Sequence, residues 1–200
     1  YQLSEGGTEE SVLRVMDVET GEVVDGPIDR ARYSPVAWLP GAEAYYYVRR
    51  LDPSLVPADE AQFHRRVYLH RLGADPSTDV EIFGAGRPIT SYFGVQVSMD
   101  GRWLQLSSQE GTEPRNDLWL ADISASSLEE PAFVEVQVGV DAQTGLYFGR
   151  DGRTYVHTDR DAPRGRIMLV DPDHLGYESW VELVGADGEA VLEDIAVLDG

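Results

Sequence analysis

The chain has no cysteine and no lysine. Without cysteine it can form no disulfide, thiol nucleophile or thiolate metal site. That composition fits a reducing compartment, and a cytoplasmic location is the expectation. Without lysine, Schiff-base and lysine general-base mechanisms are excluded within these residues. All 16 basic residues are arginines, against 36 acidic ones, for a formal charge of -20. Such a field repels nucleic acid and anionic membranes, so neither is an expected partner. The plain reading of the charge is a solvated acidic surface that aids solubility. No apolar run approaches the roughly 20 residues that span a bilayer, and no secretory leader is visible. Catalytic signatures are missing too: there is no G-x-S-x-G elbow, H-E-x-x-H pair, P-loop or G-x-G-x-x-G turn. Of the histidines, His70 and His157 fall inside predicted strands and read as strand-face residues rather than ligands, and His174 follows Asp171-Pro172-Asp173 in a turn. The scattered Asp-Gly pairs lack the alternating oxygen ligands and terminal glutamate of a calcium loop. No catalytic residue, metal or cofactor is assigned.

What the sequence does contain is a repeat. Ser98-Met99-Asp100-Gly101-Arg102 runs into the apolar stretch 103–107, and Arg150-Asp151-Gly152-Arg153 runs into 154–158. Each is followed by a second short strand, Leu118-Trp119-Leu120-Ala121-Asp122 and Ile167-Met168-Leu169-Val170-Asp171, with earlier relatives at Val67-Tyr68-Leu69-His70-Arg71 and Leu13-Arg14-Val15-Met16-Asp17. A step of about 50 residues is the period of β-propeller blades. Four antiparallel strands per unit are expected at 94–98, 103–107, 117–123 and 133–138, and again at 145–149, 154–158, 166–170 and 180–184. A looser unit uses 36–39, 45–48, 67–72 and 80–83, with a long proline-bearing loop over 49–65. Single helical turns are expected around Leu128-Glu129-Glu130 and over 59–64, and the strand aromatics, Trp103, Trp119 and Trp180 among them, read as packing between blades.

The phase of the repeat says more than its period. The N-terminal piece Leu3-Ser4-Glu5-Gly6-Gly7-Thr8-Glu9 matches the segment 106–113 with one residue dropped, so the chain opens on the second strand of a blade. Residues 192–198 read as a first strand and Asp199-Gly200 as its hairpin turn. The fold class is therefore all-β: a β-propeller of about four blades' worth, three whole and one split between the termini. A C-terminal first strand completing the N-terminal blade would close a ring.

Three segments, Leu3 to Glu9, Arg32-Tyr33-Ser34-Pro35-Val36-Ala37-Trp38 and Val67-Tyr68-Leu69-His70-Arg71-Leu72-Gly73 followed by Asp79, resemble the propeller of the prolyl oligopeptidase family of serine peptidases. So do Ser98 to Arg102, Glu110-Gly111-Thr112-Glu113-Pro114-Arg115-Asn116-Asp117-Leu118-Trp119, and the segment 157–167 with its Ala162-Pro163 and Arg166. The resemblance implies one domain over 1–200, part of a seven-bladed propeller, with the catalytic α/β-hydrolase domain absent from these residues. It also implies a function: gating the access of short proline-containing peptides to that domain, the two implied partners being the peptides and the hydrolase domain. By the same resemblance Tyr33 stands where a pocket-lining aromatic occurs. Tyr92 and Thr112 match other pocket positions, and Gln109 falls where some members carry a substrate-binding arginine. A neutral amide cannot make the charge-assisted bond of a guanidinium, so Gln109 is a departure. The alternatives from the residues themselves are a non-enzymatic propeller that binds a protein or peptide, and a sugar-binding propeller using exposed aromatics.

Overall fold

Short alternating stretches ended by turn residues cannot each bury an apolar face alone. In the computed structural model, which describes residues 1–196, they pair into antiparallel sheets that stack face to face. Blade one has three strands, β1 (Gln2–Ser4), β2 (Ser11–Met16) and β3 (Val23–Ile28). Blade two holds β4 (Val36–Trp38), β5 (Ala44–Arg50), β6 (Arg65–Arg71) and β7 (Val80–Phe83). Blade three holds β8 (Ser91–Val97), β9 (Trp103–Glu110), β10 (Asp117–Asp122) and β11 (Val134–Gln137). Blade four holds β12 (Thr144–Phe148), β13 (Thr154–Thr158), β14 (Arg166–Val170) and β15 (Val181–Val184). Each strand pairs with the next in sequence, as a propeller blade requires. The three-stranded first sheet fits the opening half of the expected phase, a first blade that lacks one strand.

The core lies between blades. Tyr45 and Tyr47 of β5 pack with Leu13, Ile28 and Ala31 of blade one, whereas Tyr46 packs with Leu104, Ala121 and Ile123 of blade three. Successive strand residues point to opposite faces, so this one run of three tyrosines fills two interfaces. Blade three meets blade four through Leu118, Leu120 and Val136 against Leu146, Val156 and Trp180. Buried polar groups add to that junction. Asn116 donates to the Thr144 carbonyl at 2.9 Å and accepts from its N–H at 2.7 Å, which ties the start of β10 to the start of β12.

Two readings from the sequence are corrected. Leu128-Glu129-Glu130 forms bends rather than a helical turn, with Ser127 bonding the Glu129 carboxylate and N–H. Leu192 to Ala196 form no strand; Leu192 instead bonds back to Arg164 and to the His157 ring. The rest of that expected strand and its turn, 197–200, lies outside the described residues. The stretch 59–64 contributes only the end of a 3-10 turn, Ala58–Glu60. Two further 3-10 turns, Pro53–Leu55 and Pro76–Thr78, share a cause: each opens on the proline of an Asp-Pro pair whose aspartate, Asp52 or Asp75, caps it by accepting the N–H two residues on at 2.9 Å.

Candidate functional site

Antiparallel pairing sorts the loops onto two faces. One carries the blade-to-blade connections 29–35, 84–90 and 138–143, together with the loops between second and third strands at 5–10, 51–64, 111–116 and 159–165. This is the connector face. The other carries the tight hairpins between first and second strands.

Tyr33, Tyr92, Gln109 and Thr112 all fall on the connector face, because each flanks the start of a first strand or the end of a second one. Tyr33 is 57% exposed and has φ of +56°, a left-handed conformation that a tyrosine rarely adopts. Its hydroxyl donates to Glu9 at 3.0 Å and accepts from Arg32 at 3.2 Å. Tyr92 is 40% exposed and pairs directly with Gln109 across β8 and β9. The Gln109 amide donates to the Glu113 carbonyl at 2.5 Å, so it braces its own loop. Thr112 sits exposed at the tip of that loop.

Between the two tyrosines lies a group of arginines that the sequence reading did not single out. The doublets Arg49-Arg50 and Arg65-Arg66 close the β5–β6 hairpin, with Arg50 directly opposite Arg65 and Arg49 opposite Arg66. Like charges facing each other across a strand pair repel. Three of the four are compensated. Arg49 pairs with Asp29, Arg66 with Glu81 at 3.2 Å, and Arg50 with Glu10. Arg50 also donates to the Ala61 carbonyl at 3.1 Å and to Gln62 Oε1 at 2.7 Å, anchoring the 51–64 loop. Arg32 pairs with Glu9 and approaches Glu10 at 3.9 Å. Arg65 has no carboxylate within ion-pair distance among the described residues. Its guanidinium carbon lies 3.8 Å from the centre of the Tyr92 ring. The signal that could have found this group was the pair of arginine doublets at the two ends of one loop.

A polar cleft lies beside it on blade three. Arg87 stacks on Trp119 at 4.4 Å, facing Ser91, Ser108, Glu110, Glu113 and Arg115. On the blade one–blade two junction His70 is fully buried between two carboxylates. Its Nδ1 lies 2.6 Å from Asp79 and its Nε2 2.9 Å from Asp25. The carboxylates sit on opposite ring nitrogens and do not converge on a common point. Among the described residues no group of three or more His, Asp or Glu side chains is arranged to hold a metal ion. No described helix is long and apolar enough to cross a membrane.

The family model for the prolyl oligopeptidase N-terminal β-propeller domain matches residues 1–200. A prolyl endopeptidase of Elizabethkingia meningoseptica is 28% identical over 192 residues, covering 94% of this chain and 26% of the relative. Prolyl oligopeptidase A of Galerina marginata is 26% identical over 175 residues, covering 80% of this chain and 24% of the relative. The chain thus spans about a quarter of the length of these curated relatives. Among solved structures, one from a structural and mechanistic study of two prolyl endopeptidases superposes with a TM-score of 0.84 at 31% identity, over 96% of this chain and 28% of that one. Prolyl oligopeptidase B of Galerina marginata, bound to a 25mer macrocyclization substrate, superposes with a TM-score of 0.82 at 17% identity, over 97% of this chain and 28% of that one, a likeness of fold.

Proposed function

The chain belongs to the prolyl oligopeptidase N-terminal β-propeller family, and from that membership we propose that it forms part of the propeller of a serine-type prolyl oligopeptidase. In this reading the propeller gates the access of short, proline-containing peptides to an α/β-hydrolase domain outside these residues, and that domain supplies the nucleophile. The observation that supports it is that Tyr33, Tyr92, Gln109 and Thr112 lie on one face, which also carries the only arginine doublets of the chain. Exposed tyrosines offer a flat apolar wall with a polar rim, suited to a proline ring and its flanking amides. Rigid sheets behind those loops exclude a folded protein by size while an extended peptide passes.

The test is made on the full-length product of the gene. Its coding sequence should carry a G-x-S-x-G elbow followed by an aspartate and a histidine. The purified protein should cut short peptides after proline and leave the same sequence uncut inside a folded domain. A stop codon soon after Gly200, or no cleavage of any proline peptide, overturns the reading.

A further inference from the structure

Arg65 is the one cation of the β5–β6 hairpin end that the described structure leaves without a carboxylate. It is only 4% exposed, and its Nε and Nη1 have no hydrogen-bond partner among the described residues. A buried guanidinium in that state is costly. Burial, and then the neighbouring Arg50 and Arg32 charges, hold its pKa below the usual arginine value, although the Tyr92 phenol opposes them. Counting the side chains that meet here, Arg32, Arg50 and Arg65 face Glu9 and Glu10, a surplus of one positive charge in a chain of formal charge -20. The like-charged Arg50–Arg65 pair lies on the same face as the two exposed tyrosines.

We propose that Arg65, covered by the Tyr92 ring, binds a peptide carboxylate and gives this face a preference for peptides that carry one. A single surplus charge matches a monoanion. A phosphate dianion would reverse the sign, and a neutral peptide would leave the surplus in place. Tyr92 is exposed enough to turn aside, and rotation of such a side chain is fast. With the ring moved off its face, the guanidinium is open to a carboxylate that docks at its edge and takes charge-assisted bonds from donors without a partner among the described residues. The inference rests on the reading that peptides reach this face, and it names the class of peptide favoured.

The experiment uses the full-length protein and proline-containing pentapeptides made cleavage-resistant by N-methylation of the amide after proline. Binding is measured by calorimetry for a neutral peptide as its free C-terminal acid and as its amide, and for two amides that differ by one Glu-to-Gln exchange. The first pair reads a terminal carboxylate and the second a side-chain one. The expected result is about tenfold tighter binding of the carboxylate form in at least one pair, the size of a charge-assisted bond. That advantage disappears in Arg65→Gln and partly returns in Arg65→Lys, each variant's folding being checked by its thermal melt. Equal binding of acid and neutral forms by the unmodified protein overturns the proposal with no variant needed, as does an advantage that survives Arg65→Gln. The two readings fail separately. A protein that keeps the advantage but cleaves nothing after proline sinks the peptidase reading alone, and one that cleaves without the advantage sinks only the role of Arg65.

Discussion

His70 shows how a single residue fastens two blades. Both of its ring nitrogens face carboxylate oxygens, which only accept, so the ring must carry both protons. Burial works against that charge, but the bonds and charges of Asp79 and Asp25 outweigh it and raise its pKa above the ordinary 6.5. Tyr45 donates to Asp25 at 3.3 Å and Tyr47 to Asp79 at 2.6 Å, which completes the network. Burial and the adjacent carboxylates push both phenols well above their ordinary range, so they stay protonated through neutral pH. A raised histidine pKa contributes stability that is full below 6.5 and is lost as pH rises through the folded value. Melting temperature should therefore fall as pH is raised above about 6.5, the ordinary histidine value, and His70→Gln should flatten that limb. Equal slopes for the two proteins would sink the assignment. His70→Ala should cost about 3 kcal/mol in a denaturant titration, because it strands two buried carboxylates. The sequence made the residue visible but not its partners. Asp79 only follows the Val67–Gly73 string with no sign in it of a bond to His70, Asp25 comes from another blade, and no local pattern announces a contact 45 residues away.

Elements were far more legible than contacts. Strands β7, β13 and β14 have the bounds read from the sequence, because each is a short apolar run closed at both ends by turn residues. Strands β5 and β6 reach further into their loop than the expected 45–48 and 67–72. Their arginine ends look like loop, yet they pair through Arg50 and Arg65 because Glu10 and Asp29 arrive from blade one and its connection. The Asp-Gly hairpins allow a sharper test. Gly101 and Gly152 occupy the same turn position with φ of +74° and +78°. A Cβ at Gly152 meets open space, whereas one at Gly101 would lie 2.6 Å from Pro40 of blade two. Gly152→Ala should thus cost only the left-handed backbone penalty, about 1 kcal/mol. Gly101→Ala should add an overpacking cost, for about 3 kcal/mol in all. Urea midpoints of the two variants decide it. Equal shifts would mean that the hairpin leans away from blade two without loss.

On the scale of the whole molecule, the repeat shows where the described structure leaves faces open. Each core cluster joins consecutive blades, and blade four ends in a strand whose residues Val181, Leu183 and Val184 are 61%, 47% and 48% exposed. At the other end β1 has a partner on one side only among the described strands, with Tyr1 and Leu3 exposed beside it. An uncovered sheet edge and an apolar strand are surfaces that pair with other chains. Residues 1–200 expressed alone should therefore self-associate, seen in sedimentation velocity as a weight-average mass that climbs with concentration. The formal charge of -20 opposes this by repulsion between copies, so association should strengthen in high salt, where that repulsion is screened. Val181→Lys together with Val184→Lys should weaken it, since lysine on an edge strand disfavours pairing. On the proposed reading neighbouring blades cover the same faces in the full-length product, and that protein should sediment independently of concentration over the same range. A segment that stays a stable monomer at every concentration and salt would instead mark a self-sufficient ring, and would favour a non-enzymatic binding module over a piece of a peptidase propeller.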